Sequence, residues 1–212
     1  MAARQPVCLH LKCDAILGMP SSITTANRAD AAIADTRRWL ERAVIGLNLC
    51  PFAKAVHVKG QIHLTASSAG TEEDLLADLK IELMGLASLN SIERETTILL
   101  APWVLDEFLQ FNEFLAKANQ MVVDIDLDGV IQIASFHPQY QFADAAMDDI
   151  TNFTNRAPYP TLHLLREESI DRAVEAFGEA SEIFEKNKET LMRLGHSGWT
   201  ALDVGPHGEA TP

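Results

Sequence analysis

The chain has 212 residues, 47% of them hydrophobic and 22% charged, a composition typical of one folded domain with its own core. Its 30 acidic and 17 basic residues give a net charge of −13, which argues against nucleic acid or an anionic membrane surface as a partner. The 3 cysteines, an odd number, form no secreted disulfide framework, so the sequence favours the cytoplasm.

Helical and strand patterns alternate along the first half of the chain. Apolar residues at helical spacing predict a first helix over about 29–47, and alternation predicts a short strand around 62–64. Thr71 and Asp74 form a capping box that opens a second helix. A β-branched apolar run then predicts a buried strand over 96–101.

The alternation continues through the second half. An apolar stripe from Val104 to Ala118 predicts a third helix, and the run VIQIASF predicts a third strand over 130–136. Leu162 and Leu164 predict a short fourth strand. Ser169 is the predicted cap of one long last helix with an acidic, solvated outer face.

This order of elements predicts an α/β or α+β fold, with a sheet of about four strands covered by helices. A ferredoxin-like arrangement is the alternative, because the fourth strand follows a loop and not a helix. We predict a loosely ordered leader over 1–27, a single globular domain over 28–195 and a flexible tail rich in Gly and Pro over 196–212.

A long polar loop, 137–160, separates the third and fourth strands. Loops of this length are uncommon in compact domains and are often functional. It holds Asn152, Asn155 and Arg156, whose amides and guanidinium suit a carboxylate or phosphate, and Tyr140 completes the predicted substrate-binding set in this loop. The alternative is a structural loop in which Arg156 pairs with a nearby aspartate and the amides satisfy turns.

Two side chains outside regular elements are candidates for catalysis. His137 ends the third strand, at the sheet edge where open α/β folds bind ligands, and is a candidate acid or base. Cys50 precedes a proline after the first helix, near unsatisfied N–H groups that lower the pKa of a thiol and so favour a nucleophile. The alternatives are a histidine that caps the strand and an inert core thiol.

The fourth strand supplies two further candidates. His163 lies on the strand face opposite Leu162 and Leu164, and is therefore expected to face a loop, helix or cleft. Arg166 falls on the Leu162 side, which separates it from His163, although we include both in the predicted site. No zinc, calcium or phosphate-loop pattern is present, so the sequence predicts no metal and leaves the cofactor open.

Several strings of the sequence occur together in a known family. They are Arg38-Trp39, LNLCPFA (47–53), ETTILLAP (95–102), ASFHPQYQFA (134–143) and NFTNRAPYPTLHLLRE (152–167). This pattern resembles the domain-of-unknown-function family numbered 1415, over roughly residues 28–195. The resemblance implies membership of a family with no assigned activity, and therefore adds no mechanism.

These observations support two classes of function. The first is a small cytoplasmic enzyme that acts on an anionic small molecule, with Cys50 as nucleophile, His137 as acid or base and Arg156 as anion clamp in one shared pocket. The second is a non-catalytic binding or protein-interaction module. Metal binding through Cys50, His137 and His163 is a third hypothesis. The sequence leaves the substrate, the reaction and even the presence of catalysis open.

Overall fold

Four strands form one mixed sheet in the computed structural model, which describes residues 21–177 and 180–207 and, within them, the side chains of 27–175 and 182–207. The strands are β1 (Ile62–Ala66), β2 (Thr96–Leu100), β3 (Ile131–Phe136) and β4 (Thr161–Arg166). Their order in the sheet is β1-β2-β4-β3. The predicted mixed α/β fold with a four-stranded sheet is confirmed.

Six α-helices accompany the sheet in the described part of the chain. They are α1 (Ser21–Trp39), α2 (Ala53–Val58), α3 (Glu72–Ser88), α4 (Phe108–Asp124), α5 (Glu167–Phe177) and α6 (Ala180–Ala201). A π-helix over Leu40–Ile45 extends α1, and a 3-10 helix occupies Ile150–Thr154. No helix in these ranges has the length and apolarity that a bilayer crossing requires.

The single last helix predicted from Ser169 is two helices in the structure, and α5 begins at Glu167, two positions earlier. Two adjacent acidic residues, Glu167 and Glu168, occupy its first turn, where negative side chains interact favourably with the helix dipole. The helix therefore follows β4 without a connecting loop.

The topology excludes the ferredoxin-like alternative. β1 and β2 are parallel neighbours, with α3 between them along the chain, whereas β4 is antiparallel to both β2 and β3. The order of elements is β-α-β-α-β-β and not the β-α-β-β-α-β of a ferredoxin-like domain. β4 thus occupies an interior position of the sheet with a partner strand on either side.

One face of the sheet carries the main core. α3 packs there through four fully buried leucines, Leu75, Leu79, Leu83 and Leu86, which recur at the spacing of one helical face. The α4 side chains Phe111 and Phe114 and the strand side chains Leu99, Leu162 and Leu164 complete it. The predicted cap of α3 is present, since the Thr71 hydroxyl accepts a hydrogen bond from the Asp74 N–H at 3.2 Å.

The opposite face of the sheet is covered by α1 and its π-helical extension. Trp39 packs edge-on against Phe136 of β3, with their ring centroids 5.4 Å apart. Nearer the N-terminus of α1, Ala32 packs against Ile98 and Leu100 of β2. α1 and the π-helix leave part of this face accessible, and the candidate site lies there.

The chain after α6 is attached to α1. Residues 196–201 of the predicted flexible tail belong to α6, Val204 is buried, and the backbone N–H of His207 donates to Asp35 at 3.0 Å. Burial by itself raises the pKa of Asp35, but hydrogen bonds from His207, Arg38 and Tyr159 outweigh it and lower that pKa. Of the predicted leader, residues 1–20 lie outside the described part of the chain, and the domain boundaries stay a prediction.

Replacement of a core leucine tests the packing of α3. Leu79→Ala removes a fully buried side chain, and we expect the free energy of unfolding to fall by about 2–5 kcal/mol in urea denaturation. Ile81→Ala is the matched control, because Ile81 is on the same helix but 65% exposed, and its effect should stay within about 0.5 kcal/mol. Equal losses in the two variants would contradict this packing.

Candidate functional site

A cavity of about 340 Å³ lies on the sheet face opposite α3 and α4. Side chains of β2, β3 and β4 form its floor, and the π-helix, the segment 50–56 and α5 form its walls. The lining is mainly apolar, and its larger members are Trp39, Leu40, Phe52, Ile98, Phe136 and Ile170. The site is therefore a hydrophobic cavity bounded by elements from both halves of the chain.

Strand alternation determines which polar groups reach this cavity. In β4, Leu162 and Leu164 point into the main core, so Thr161, His163 and Leu165 point to the other face and line the cavity. The orientation predicted for His163 matches this arrangement. In β2 the same rule places Thr96 in the lining, and β3 contributes the exposed Gln132.

His163 is held from the neighbouring strand. Its Nε2 lies 2.7 Å from the Thr96 hydroxyl, and that hydroxyl donates to the Leu164 carbonyl oxygen at 2.6 Å. Burial lowers the pKa of His163 to about 4, because an apolar floor disfavours the charged imidazolium. At neutral pH the ring is therefore uncharged.

Cys50 also lines the cavity, at the entrance to α2. Burial raises the pKa of its thiol, although hydrogen bonds from the backbone N–H groups of Phe52 and Ala53 act in the opposite direction. The N–H groups expected from the sequence are present, but the expected net lowering of the pKa does not occur, because desolvation of a thiolate outweighs them. At neutral pH this group is a thiol.

His137 lies outside the cavity lining and is fully buried against α4. Its Nε2 donates to the Leu105 carbonyl oxygen at 2.9 Å, and its Nδ1 accepts from the Gln139 N–H at 3.0 Å. The ring centroid lies 5.4 Å from that of Phe108 and 5.0 Å from that of Phe111. Burial lowers the pKa of His137, so the ring is neutral at physiological pH. Both ring nitrogens are hydrogen-bonded to backbone groups.

The buried Asn152 side chain is hydrogen-bonded to backbone groups of the loop over 137–160. Its side chain is fully buried, and its Oδ1 accepts from the Phe142 N–H at 3.0 Å. Its Nδ2 donates to the carbonyl oxygens of Ala146, at 2.8 Å, and Met147, at 3.3 Å. Because all these partners are backbone groups of the same loop, the amide substitutes for secondary structure there.

Arg156 acts on the same loop. Its Nε donates to the Tyr140 carbonyl oxygen at 3.0 Å and its Nη2 to the Met147 carbonyl oxygen at 2.7 Å. The guanidinium also lies over the Phe153 ring, 4.4 Å from its centroid. Its partners are carbonyl groups and an aromatic face, and not the nearby aspartates of the structural alternative.

The two remaining loop candidates have local partners. The Tyr140 ring packs 5.2 Å from Phe108 and 5.0 Å from Phe142, measured between centroids. The Asn155 side-chain oxygen accepts from the Thr154 hydroxyl at 3.0 Å. Neither Tyr140 nor Asn155 lines the cavity.

Arg166 stands at the margin of the cavity, but its guanidinium is bound to the protein. Nη2 donates to the carbonyl oxygens of Leu86 and Leu89, at 2.8 and 2.7 Å, and Nε donates to that of Arg94 at 3.3 Å. These oxygens belong to the C-terminal end of α3 and the loop after it, where a helix has carbonyls without intrahelical donors. Arg166 therefore caps α3 through its Nε and Nη2.

The structure brings together a different set from the predicted one. The convergence expected for Cys50, His137 and Arg156 does not occur, since only Cys50 lines the cavity, together with His163 and the marginal Arg166. Thr96 is not among the predicted site residues, although its place two residues before the apolar Ile98 puts both side chains on the same strand face. Within the described residues, no group of three or more His, Cys, Asp and Glu side chains is arranged to hold a metal ion.

Comparison with known proteins identifies one family. A family model described as a protein of unknown function, DUF1415, matches residues 31–201. The match begins within α1, extends to the end of α6 and includes every side chain named above for the cavity. No curated protein matches the chain, and neither does any solved structure.

The burial of His163 predicts a pH dependence of stability. An imidazole in an unfolded chain titrates near 6.5, whereas this one titrates at about 4, so between those values the unfolded chain binds the extra proton. The free energy of unfolding should thus decrease as the pH is lowered through this window, by up to about 3 kcal/mol from this group. Urea denaturation from pH 7 to 4 measures it. His163→Gln should remove this contribution, and an NMR titration midpoint near 6.5 for the ring would contradict it.

Replacement of Asn152 tests the account of the loop. Asn152→Ala leaves the Phe142 N–H and the Ala146 carbonyl oxygen without this partner and leaves the Met147 carbonyl oxygen with Arg156 alone, so we expect a loss of about 1–3 kcal/mol in the free energy of unfolding. Asn155→Ala is the control, because that side chain accepts one bond from a neighbouring hydroxyl, and it should cost less. A smaller loss for Asn152→Ala than for the control would overturn this account.

Proposed function

The chain belongs to the DUF1415 family, whose function is unknown, and from this starting point we propose that the cavity over β2, β4 and β3 binds a small, uncharged, mainly apolar molecule. The observation that carries the proposal is the cavity itself, about 340 Å³ in volume and lined mainly by hydrophobic side chains. This volume falls within the range of small-molecule sites, which are concave, mainly apolar and supplied with few polar groups.

The charges around the cavity favour an uncharged ligand. Arg166 is the basic side chain in the lining, and its Nε and Nη2 donate to carbonyl groups of α3 and the following loop. His163 is neutral at physiological pH, and Glu95 adds a carboxylate that lies 3.4 Å from Arg172. An anion would therefore exchange its hydration for a mainly apolar lining that also holds the Glu95 carboxylate, and whose guanidinium already donates to the protein through Nε and Nη2. These contacts direct the proposal away from the anionic substrate expected from the sequence.

The geometry supports binding better than covalent catalysis. Nucleophilic attack by Cys50 requires its thiolate, and burial raises the pKa of this thiol. His137, the expected acid or base, uses both ring nitrogens on backbone groups outside the cavity. The proposed role of Cys50 is therefore that of a small, weakly polar wall of the binding site.

Two fluorescent probes with one ring skeleton test the preference for an uncharged ligand. N-phenylnaphthylamine is uncharged, and anilinonaphthalene sulfonate adds an anionic group to the same rings. We expect the purified protein to bind the uncharged probe at least about tenfold more tightly, because the sulfonate would be desolvated against a mainly apolar lining that also holds the Glu95 carboxylate. Fluorescence titration at neutral pH measures both dissociation constants. Equal or tighter binding of the sulfonate would refute the proposal.

A cavity-filling variant then locates the probe. Ala134 lines the floor in β3, so Ala134→Phe should weaken binding of the uncharged probe by about tenfold or more through steric exclusion. Val130→Phe is the matched control, since Val130 precedes the same strand, is 47% exposed and does not line the cavity. Thermal melting checks that both variants are folded. Unchanged affinity in folded Ala134→Phe would place the probe elsewhere.

A further inference from the structure

The hydrogen bonds around Thr96 determine which nitrogen of His163 carries the proton. A hydroxyl has one hydrogen, and the Leu164 carbonyl oxygen can only accept, so the Thr96 hydroxyl donates its hydrogen there, at 2.6 Å. Toward His163, at 2.7 Å, the same oxygen can then act only as an acceptor. The hydrogen of this second bond must therefore belong to His163 Nε2.

This assignment leaves Nδ1 as a hydrogen-bond acceptor. A neutral imidazole has one N–H, and here it is on Nε2, so Nδ1 carries a lone pair. Within the described part of the chain Nδ1 has no hydrogen-bond partner, and it is not among the buried polar atoms sealed from solvent. Because β4 lies between β2 and β3 and its other face is packed against the main core, the accessible side of the ring is the cavity side.

We propose that His163 is the specificity-determining residue of the cavity and selects apolar ligands that carry a hydroxyl or N–H donor directed at Nδ1. The inference rests on the proposed function, and adds to it the chemical class of the ligand. A donor buried in this cavity without an acceptor would lose its bond to water, so the position of Nδ1 favours molecules that can replace that bond.

Few other polar groups near His163 compete with Nδ1 as a hydrogen-bond acceptor. Apart from the Thr96 hydroxyl on Nε2, the cross-strand neighbours of the ring are apolar, with Ile98 directly opposite it in β2, Ala134 opposite it in β3, and the Phe136 ring centroid 6.3 Å away. The hydroxyl of Thr161, also in the lining, already donates to the Tyr159 carbonyl oxygen. Nδ1 is therefore an acceptor in the middle of the hydrophobic floor.

A methylated probe isolates the donor. N-phenylnaphthylamine has one N–H, and its N-methyl derivative has the same rings without it. We expect the wild-type protein to bind the N–H probe about fivefold more tightly, the factor typical of one net hydrogen bond. In His163→Phe, which keeps a planar ring but removes Nδ1, the ratio of the two affinities should fall to about one.

A second variant and a spectroscopic measurement keep the test independent of the folding of His163→Phe. Thr96→Val removes the oxygen that holds the proton on Nε2, so the preference for the N–H probe should decrease. In the wild-type protein, the nitrogen NMR signals of the ring should show Nδ1 unprotonated. The Nδ1 signal should shift when the N–H probe binds and change less with the methylated one.

The outcomes separate the two proposals. Equal affinities for the two probes in the wild-type protein would overturn the role of His163 while leaving the binding cavity in place. A preference that persists in folded His163→Phe, or an Nδ1 that carries the proton, would also overturn it. If neither probe binds, the proposed function fails and this inference fails with it.

Discussion

A polar ring in the middle of an apolar sheet face is stable only if its N–H finds an acceptor, and the rest of the site depends on how this chain meets that requirement. In the antiparallel register of β2 and β4, His163 is directly opposite Ile98, which places Thr96 diagonally across from it. The Thr96 hydroxyl accepts a hydrogen bond from the ring and donates its own to the Leu164 carbonyl oxygen. Burial lowers the pKa of the imidazole and keeps it neutral. Nδ1, its second nitrogen, is then available on the cavity side.

The loop over 137–160 meets the same requirement in another way. It contains little regular structure, so its backbone groups need other partners, and His137, Asn152 and Arg156 supply them. Each of these side chains has the chemistry of a catalytic or binding group. Their hydrogen bonds are nevertheless directed to carbonyl and N–H groups of the protein. These side chains stabilise the loop that connects β3 to β4.

The two faces of the sheet are packed differently, and this difference creates the site. On one face the leucines of α3 and the aromatic rings of α4 form a close-packed core. On the other, α1 and the π-helix cover one part and α5 borders another, and the cavity lies between them. π-Helical turns are frequent at functional sites, and Leu40 and Val44 from this one line the cavity.

Local pattern was enough to predict the four strands and the orientation of His163. The strand spacing, the Thr71 cap and the alternation of Leu162, His163 and Leu164 are properties of neighbouring residues and are present as predicted, whereas the division of the last helix into α5 and α6 was not predicted. The interior position of β4, the presence of Cys50 and His163 in one cavity lining and the absence of Arg156 from it were decided only by the tertiary structure. The spacing of residues along one element determines which way a side chain points. The residues that it contacts in the folded protein come from distant parts of the chain. The raised pKa of the Cys50 thiol has the same origin, because the burial that causes it is a property of the folded molecule.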